Sequence, residues 1–358
     1  MKVIQVIPTL QMGGAETMCE ALSIELQKCG VDVKVISLYN YPTPITERLI
    51  KSGVQIIFLD KKPGMDISVI TKLRHIFEIE KPDAIHSHLN AQKYVMIAAK
   101  HSNVSARVHT VHSVADKELS KIDKILAKRF YKKHHVIPVA LSDAIRNTII
   151  KVYGLPVESI PVVFNGINLS RCIKKQDYAL SDIITILHIG RFSQEKNHKG
   201  LIDSFKVFHS KKPNSVLKLI GAGPLFEDIK KYASDNGLDG AISFMGIQTN
   251  VYPYINESDI FVLPSIYEGI PMTLIEAMGT AIPIVATNVG GIPNMLSNDE
   301  SALLTAVNSS EIADALIKLA DNIALREKLG CGAYSRSSEF SSEKMARKYI
   351  EIYQSKKI

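Results

Sequence analysis

Two features that would define a different class of protein are missing from this sequence. No apolar run approaches the roughly 20 residues that a membrane-spanning helix needs. The four cysteines, Cys19, Cys29, Cys172 and Cys331, form no C-x-x-C pair and have no histidine at metal-ligand spacing. We therefore predict a soluble, cytoplasmic protein with reduced thiols and without a bound metal.

A dinucleotide fingerprint is also absent. Residues 3–7 predict a first strand rather than a signal peptide, and Gly13-Gly14 follow it in a turn that leads into a helical pattern. Glycines at such a turn let the backbone approach a ligand, but the spacing lacks G-x-G-x-x-G. A nicotinamide or flavin is therefore not expected, and we predict no cofactor.

The length and the order of the predicted elements indicate two domains. At 358 residues the chain is long enough for two full cores. Strands alternate with helices in both halves, which is typical of α/β proteins with doubly wound parallel sheets. We predict Rossmann-like domains over 1–170 and 171–340, and a last helix over 341–358 that packs back toward the first domain. The predicted strands are 3–7, 33–38, 54–59, 84–86, 107–111, 136–141 and 161–164 in the first domain, and 183–189, 216–220, 242–245, 260–263 and 283–286 in the second.

Positive charge is concentrated in the first half of the chain. Residues 1–170 carry 22 Lys and Arg against 15 Asp and Glu, whereas residues 171–358 carry 21 of each. The charge is densest over 115–133, a predicted amphipathic helix that either lies on an anionic membrane surface or packs on the core. No nucleic-acid-binding motif accompanies it, so nucleic acid is not a predicted partner. The apolar stripe of this helix is predicted to be Leu119, Ile122, Leu126 and Phe130.

Two glutamates separated by seven residues flank a predicted helix start in the second half. Glu268 follows the buried strand predicted at 260–263, and Glu276 lies five residues beyond Pro271, about 7.5 Å further along the helix axis. One carboxylate can serve chemistry and the other anchoring. The alternative is that Glu268 caps the helix electrostatically and Glu276 is a solvated surface residue.

Pro271 suits the first position of that helix, where its missing N–H costs nothing. The backbone amides of the next residues then point out of the helix and attract anions or electron-rich oxygens. These residues are Met272, Thr273 and Leu274.

Two cations follow the strand predicted at 183–189. Arg191 and Lys196 stand five residues apart in a loop, where they can stabilise a departing diphosphate without a metal; a solvated basic loop is the alternative. Gly221 and Gly223 follow a neighbouring predicted strand, and a G-x-G of this kind is most often a tight turn.

Histidines stand at the ends of two predicted strands in the first domain. His112 follows the strand at 107–111, and His86 and His88 lie at and after the end of the strand at 84–86. Their position favours a place at the ligand-binding edge, and we assign His86 and His88 to the acceptor side, where a substrate that receives a transferred group would bind. A buried histidine is, however, more often structural. Asn165, in the turn that leaves this domain, is a further acceptor-side candidate.

The paired glutamates, the Arg191 and Lys196 loop and the early Gly13-Gly14 turn resemble a known signature. It is that of retaining, nucleotide-sugar-dependent glycosyltransferases of the GT-B group, family 4 or group 1, which includes glycogen-synthase-like and lipopolysaccharide-type enzymes. The resemblance covers nearly the whole chain. It implies two facing Rossmann-like domains with the donor in the cleft between them.

The resemblance also implies a role for each matched residue. Arg191 and Lys196 would hold the donor diphosphate, and Glu276 would bind the ribose hydroxyls. Glu268 would hold the transferred sugar and ease positive charge at the anomeric carbon, while Gly14 would approach the diphosphate from the first domain. The helix-start residues that would hold the sugar and distal phosphate are Ile270, Pro271, Met272, Thr273 and Leu274.

The resemblance implies less detailed roles for two further positions. The loop with Gly221 and Gly223 would lie near the nucleotide, and His112 would face the donor sugar. The family commonly follows that histidine with an acidic residue, whereas this sequence has Ser113. No Asp-x-Asp occurs, so the metal-chelating route of the other major glycosyltransferase fold is not supported.

The expected activity is therefore a metal-independent, retaining transfer of a hexosyl or N-acetylhexosaminyl group from a nucleotide sugar, most readily a UDP-sugar. The expected acceptor is a saccharide carried on polyprenyl diphosphate at the inner face of the cell membrane. Assembly of capsule, O-antigen or exopolysaccharide would match this. A nucleotide-sugar epimerase of the same fold and a noncatalytic nucleotide-sugar-binding partner are the alternatives.

Overall fold

The computed structural model describes residues 1–355, except for the side chain of His101. The chain forms two compact units: unit 1 contains Met1–Ile167 and the segment that begins at Ser341, and unit 2 is Asn168–Phe340. The sequence places these boundaries at 170/171 and 340/341. Residues 356–358 of the predicted last helix lie outside the described part of the chain.

Unit 1 contains a six-stranded parallel sheet flanked by helices. Its strands are β1 (Lys2–Ile7), β2 (Asp32–Ser37), β3 (Gln55–Phe58), β4 (Ala84–His88), β5 (Ala106–Val111) and β6 (Val136–Ala140). Its first seven helices are α1 (Gly14–Lys28), α2 (Pro44–Lys51), α3 (Ser68–Glu80), α4 (Gln92–Ala98), α5 (Ala115–Glu118), α6 (Lys121–Lys133) and α7 (Asp143–Tyr153). The strand order is β3-β2-β1-β4-β5-β6.

Unit 2 has the same architecture. Its strands are β7 (Ile184–Ile189), β8 (Ser215–Ile220), β9 (Ile242–Phe244), β10 (Ile260–Leu263), β11 (Ile284–Thr287) and β12 (Leu303–Thr305). Its helices are α8 (His198–Lys211), α9 (Phe226–Asp235), α10 (Tyr252–Asn256), α11 (Met272–Gly279), α12 (Ile292–Met295), α13 (Ser309–Asp321) and α14 (Ile323–Ser337). The strand order is β12-β11-β10-β7-β8-β9, and every pairing is parallel.

The two sheets therefore share one doubly wound topology. In each, the first strand of the unit pairs with both the second and the fourth, so the direction of winding reverses between β1 and β4 and between β7 and β10. Helices cover both faces of such sheets, which is why β7 and β10 are buried at every position. Ligands bind at the carboxyl ends of the strands at this reversal. The prediction of two Rossmann-like α/β units is confirmed.

Three local predictions are wrong. The strand predicted at 161–164 is reduced to one bridge, Ala140 to Val162, because Pro161 has no N–H to donate to a ladder. The short strand β12 is not among the predicted strands. The helix predicted over 115–133 is broken, because Leu119 is extended and the Ser120 hydroxyl accepts from the Asp123 amide to begin α6 afresh.

The buried face of α6 also differs from the predicted stripe. Ala127, Phe130 and Tyr131 are its buried residues, whereas Ile122 is 79% exposed and Ile125 is 74% exposed. The two isoleucines therefore lie on the solvent face of the helix, among its lysines.

The last helix, α15 (Ser342–Gln354), belongs to unit 1, where it packs against α1 and β5. The Tyr349 hydroxyl lies 2.7 Å from Thr110 Oγ1, and the Tyr353 hydroxyl lies 2.7 Å from His86 Nδ1. Both tyrosines are buried, so α15 completes the core of unit 1. Within residues 1–355, none of the helices has the length and apolar character needed to traverse a bilayer.

Candidate functional site

In unit 2, the loops that follow β7 and β10 meet through an ion pair. Lys196 Nζ lies 2.6 Å from Glu268 Oε1, and the side chains are only 17% and 9% exposed. The Ser265 hydroxyl donates to the same carboxylate oxygen at 2.6 Å. The structure therefore brings together two residues that the sequence singled out separately, at the point where the sheet reverses its winding.

Two hydrogen bonds link these two loops beside the ion pair. Asn197, in the left-handed region at φ 54°, begins α8 and donates from its side chain to the Pro264 carbonyl at 3.1 Å. The Ile266 amide donates to the Glu195 carbonyl at 2.8 Å. Asn197 and Glu195 flank Lys196, so these two bonds tie the loop of Lys196 to the segment that precedes Glu268.

A pair of glycines packs against the backbone of Glu268. A Cβ atom at Gly290 would lie 1.9 Å from the Glu268 carbonyl oxygen, and one at Gly291 would lie 2.0 Å from the Gly269 oxygen. Gly290 also has φ +57°, and the Gly291 amide donates to the Glu268 carbonyl at 3.1 Å. Only glycine permits this approach. Gly290, Gly291 and Ser265 were not among the predicted site residues, although the G-G pair after a strand was a usable signal.

Gly221 and Gly223 contact the neighbouring loop directly. A Cβ atom at Gly221 would lie 2.0 Å from the Gly190 oxygen, and one at Gly223 would lie 2.4 Å from the Phe192 oxygen. The Phe192 amide donates to the Ala222 carbonyl at 3.0 Å. These glycines thus support the loop that carries Arg191, which is exposed to solvent.

Helix α11 begins one residue later than predicted, with Pro271 as its N-cap. The Leu274 amide donates to the Pro271 carbonyl at 3.1 Å, so it is engaged in the first turn and is not directed outward. The prediction that three successive amides point out of the helix is corrected accordingly. Met272 and Thr273 supply the amides at the helix start that remain for a ligand.

Glu276 lies in a more buried setting than a surface helix residue. Burial raises the pKa of its carboxyl to about 7, and the charge of Arg171 opposes this shift. The Arg171 guanidinium stacks over the Tyr252 ring, with 4.8 Å from Cζ to the ring centroid. Arg171 was not predicted, because it is the first residue of the predicted second domain and no motif marks it.

In unit 1, the first turn of α1 is open at Gly14. Gly13 is the N-cap of this helix in extended backbone, and both glycines are exposed. A Cβ atom at Gly14 would meet nothing within 4 Å. Space for a ligand therefore exists above the helix start, at the carboxyl end of β1.

His86 and Asn165 are buried within unit 1. His86 Nε2 lies 2.7 Å from Thr110 Oγ1, and its Nδ1 contacts Tyr353, so both ring nitrogens are engaged. The acceptor-side prediction for His86 is corrected: it has no ring nitrogen left for an acceptor, because α15 covers it. Asn165 is 4% exposed.

His88 and His112 form a contact at the carboxyl ends of β4 and β5. His88 Nδ1 lies 3.0 Å from His112 Nε2, and His88 is fully buried whereas His112 is partly exposed. Burial lowers the pKa of His112 to about 3 and that of His88 well below its usual value, so both rings are neutral at pH 7.

A buried carboxyl group from α5 contacts the backbone of His112. Glu118, with a side chain 4% exposed, accepts from the His112 amide at 3.1 Å. Burial raises the pKa of Glu118 to about 8, and its bonds from the His112 and Ser113 amides oppose the shift. Within residues 1–355, no group of three or more His, Cys, Asp or Glu side chains is arranged to hold a metal ion.

Comparisons with known structures identify the fold. HepE of Anabaena, in complex with UDP and glucose, is similar with a TM-score of 0.87 and 17% identity, covering 99% of this chain and 100% of that one. A glycosyltransferase of Rickettsia africae has a TM-score of 0.82 and 19% identity, covering 99% and 97%. The fold is the GT-B fold of glycosyltransferases.

Comparisons of sequence identify the family. Residues 12–171 match the model described as Glycosyltransferase Family 4, and residues 173–336 match the model described as Glycosyl transferases group 1. The chain belongs to these glycosyltransferases. It is 26% identical over 278 residues to the UDP-Gal:alpha-D-GlcNAc-diphosphoundecaprenol alpha-1,3-galactosyltransferase of Escherichia coli, covering 73% of this chain and 72% of that protein.

Proposed function

We propose that this glycosyltransferase takes its sugar from a UDP-sugar and transfers it without a metal and with retention at the anomeric carbon. The observation that carries the proposal is the Lys196 to Glu268 pair at the strand reversal of unit 2. The complex of the similar protein HepE with UDP and glucose supports a uridine nucleotide as the donor.

The chemistry divides between the two loops. The departing diphosphate carries negative charge, which Lys196 and the exposed Arg191 of the same loop can stabilise as cations. Glu268 and the amides at the start of α11 hold the transferred sugar, with the carboxylate stabilising positive charge that develops at the anomeric carbon. Glu276, about one turn further along α11, accepts hydrogen bonds from the ribose hydroxyls.

Retention is explained by front-face displacement. The leaving diphosphate takes the proton from the acceptor hydroxyl as that oxygen bonds to the anomeric carbon on the same face. Glu268 then acts through its charge, because its Oε1 is engaged by Lys196 and Ser265.

The acceptor is a saccharide carried on polyprenyl diphosphate, presented at the cytoplasmic face of the membrane during capsule, O-antigen or exopolysaccharide assembly. The Escherichia coli relative is named for such a lipid-linked acceptor. The net positive charge of residues 1–170 suits the diphosphate and an anionic bilayer.

The solvent face of α6 is the surface that meets this bilayer. Residues spaced three and four apart lie on one side of a helix, and this side combines cations with the exposed Ile122 and Ile125. The acid of the helix, Asp123, is drawn to Lys93 at 3.1 Å and does not offset these charges. Each cation near an anionic surface contributes about 1 kcal/mol. The cations of this face are Lys121, Lys128, Arg129 and Lys132.

A donor screen tests the transfer. Purified protein is incubated with UDP-, GDP- and ADP-sugars, with and without EDTA, and thermal shift and nucleotide release are recorded. Stabilisation by one donor and slow release of its nucleotide in EDTA are expected. Loss of both in EDTA would refute metal independence, and product formation from the donor without any acceptor would indicate an epimerase.

Vesicle flotation tests the membrane surface. The protein is expected to float with phosphatidylglycerol vesicles at low salt and much less with phosphatidylcholine or at high salt. Ile122→Ser with Ile125→Ser should abolish flotation. Ile67→Ser with Ile79→Ser is the matched control, because these isoleucines of unit 1 are 71% and 64% exposed but lie outside α6. Equal loss in both pairs, or no binding by the wild type, would refute this surface.

A further inference from the structure

A chain of hydrogen bonds leads from the interior of unit 1 to His112. The Ser23 hydroxyl donates to the Cys19 carbonyl at 2.7 Å, and Gln5 Nε2 donates to Ser23 Oγ at 2.6 Å. Gln5 Oε1 lies 2.9 Å from His88 Nε2, and His88 Nδ1 lies 3.0 Å from His112 Nε2. Gln5, Ser23 and His88 are all fully buried, so no solvent can substitute for a missing partner.

The direction of the first bonds is fixed by counting hydrogens. Ser23 has one hydroxyl hydrogen, which it gives to the Cys19 carbonyl, so it must accept from Gln5. The amide nitrogen of Gln5 therefore faces Ser23, and its oxygen faces His88. The Cys19 thiol, 3.7 Å from the same oxygen, is a second donor on that side. Because a carboxamide oxygen only accepts, His88 carries its hydrogen on Nε2.

The hydrogen position on His88 determines which nitrogen of His112 donates. A neutral imidazole carries one hydrogen, so His88 with its hydrogen on Nε2 has a lone pair on Nδ1. A hydrogen bond across the 3.0 Å contact requires that His112 donate from Nε2. Since burial keeps the pKa of His112 low, its ring is neutral as well, and its own Nδ1 carries a lone pair.

We propose that Gln5 and His88 are positioning residues that hold His112 in the tautomer protonated on Nε2, so that His112 Nδ1 accepts a hydrogen bond from the ligand. The ligand group at this position is an O–H or N–H of a sugar, and a phosphate or carboxylate is disfavoured there. The identification of the ligand as a sugar rests on the proposed function. The assignment of the His112 tautomer does not rest on it.

The surroundings of His112 agree with this selectivity. Its backbone amide, which could otherwise bind an anion, is already donated to Glu118. An anion would therefore face the lone pair of His112 Nδ1 and the nearby carboxyl group of Glu118. A hydroxyl group could instead donate its hydrogen to Nδ1. The partly exposed ring at the carboxyl end of β5 leaves one side for the ligand.

Nitrogen NMR of the full-length protein tests the tautomer directly. The chain is labelled with ¹⁵N-histidine, and the ring nitrogens of His112 are assigned from their loss in His112→Gln. The expected result is one-bond N–H coupling at Nε2 of both His88 and His112 and a lone-pair shift at Nδ1 of His112. A hydrogen on Nδ1 of His112 overturns the proposal.

Variants of Gln5 separate positioning from a structural role. Gln5→Leu removes the acceptor and should give a mixture of His112 tautomers. If Gln5→Leu does not fold, His88→Phe tests the same link at the next residue. His75→Gln, an exposed histidine on α3, should leave His112 unchanged. An unchanged His112 tautomer in both Gln5→Leu and His88→Phe would overturn the positioning role.

Titration with inorganic phosphate tests the selectivity. The His112 signals should remain those of the neutral ring as phosphate is added. Conversion of His112 to the doubly protonated cation by phosphate overturns the exclusion of anions. Because these spectra are recorded without a nucleotide sugar, a donor screen in which nothing binds would refute the proposed transferase reaction while leaving the tautomer assignment intact.

Discussion

Lys196 Nζ and Glu268 Oε1 lie 2.6 Å apart, although 71 residues separate them in the chain and each follows a different strand. The pair joins the residue assigned to the diphosphate with the residue assigned to the sugar. Each residue of the pair compensates the other's charge. A donor diphosphate therefore has to share the ammonium group with Glu268, which couples phosphate binding to the placement of the carboxylate.

Replacing Lys196 with alanine should depress turnover more than donor binding. The ammonium group stabilises charge that grows as the diphosphate departs, so its loss is expected to lower kcat by about 100-fold or more, the scale of losing one such donor. Donor Kd, measured by calorimetry, should change less than tenfold, about 1.4 kcal/mol. Lys206→Ala, an exposed lysine on α8, is the control. Equal losses in kcat and affinity would contradict the separate role.

Glu276 should make donor affinity depend on pH. With its pKa raised to about 7 by burial, the carboxyl is mostly protonated below that pH and ionised above it. Only the ionised form accepts from both ribose hydroxyls, so affinity for an intact nucleotide sugar should rise as pH increases from about 6 to about 8, by roughly tenfold. Glu276→Gln should bind weakly and without this pH dependence. A pH dependence that persists in Glu276→Gln would assign it to another group.

Gly290→Ala should displace Glu268. The added methyl group would lie 1.9 Å from the Glu268 carbonyl, and displacements near 1 Å can reduce rates by about 100-fold. Gly237→Ala isolates the effect of backbone conformation, because Gly237 has φ +69° but nothing within 4 Å of the new atom. It should lower the free energy of unfolding by about 1–2 kcal/mol and leave kcat unchanged. Similar kcat values for the two variants would show that the Gly290 contact does not position Glu268.

Tyr349→Phe should loosen unit 1. The change removes the hydroxyl bonded to Thr110 in a buried network and is expected to lower local stability by about 1 kcal/mol. Hydrogen exchange followed by mass spectrometry should show faster exchange in peptides from β4 and β5. Tyr334→Phe, at an exposed tyrosine in unit 2, should not have this effect. Unchanged exchange in β4 and β5 would mean that the hydroxyl contributes no stability.

The sequence predicts the sheets well because buried parallel strands appear as short apolar runs, as at 183–189 and 260–263. It fails where local pattern and packing disagree. Residues 161–164 have apolar character but begin with a proline, and β12 is only three residues long. Ile122 fits a helical stripe by spacing, yet the break at Ser120 sets a different rotation for α6.

The candidate site was predicted only in part, for a related reason. Residues with charge and motif spacing, such as Lys196 and Glu268, can be recognised in the chain. Their partners depend on distant segments: His86 Nδ1 contacts Tyr353, 267 residues away, and this contact engages the ring nitrogen that Thr110 leaves open. No local signal in the sequence shows which histidine α15 will cover.

The packing of α15 on unit 1 has a consequence for biosynthesis. The residues of unit 2 are continuous in the chain, so that unit can make all of its contacts once residue 340 has emerged from the ribosome. Unit 1 begins first but must wait for Tyr349 and Tyr353. Unit 1 is therefore completed after unit 2, and a nascent chain stalled just before α15 would carry an exposed apolar face between α1 and β5 for chaperones to cover.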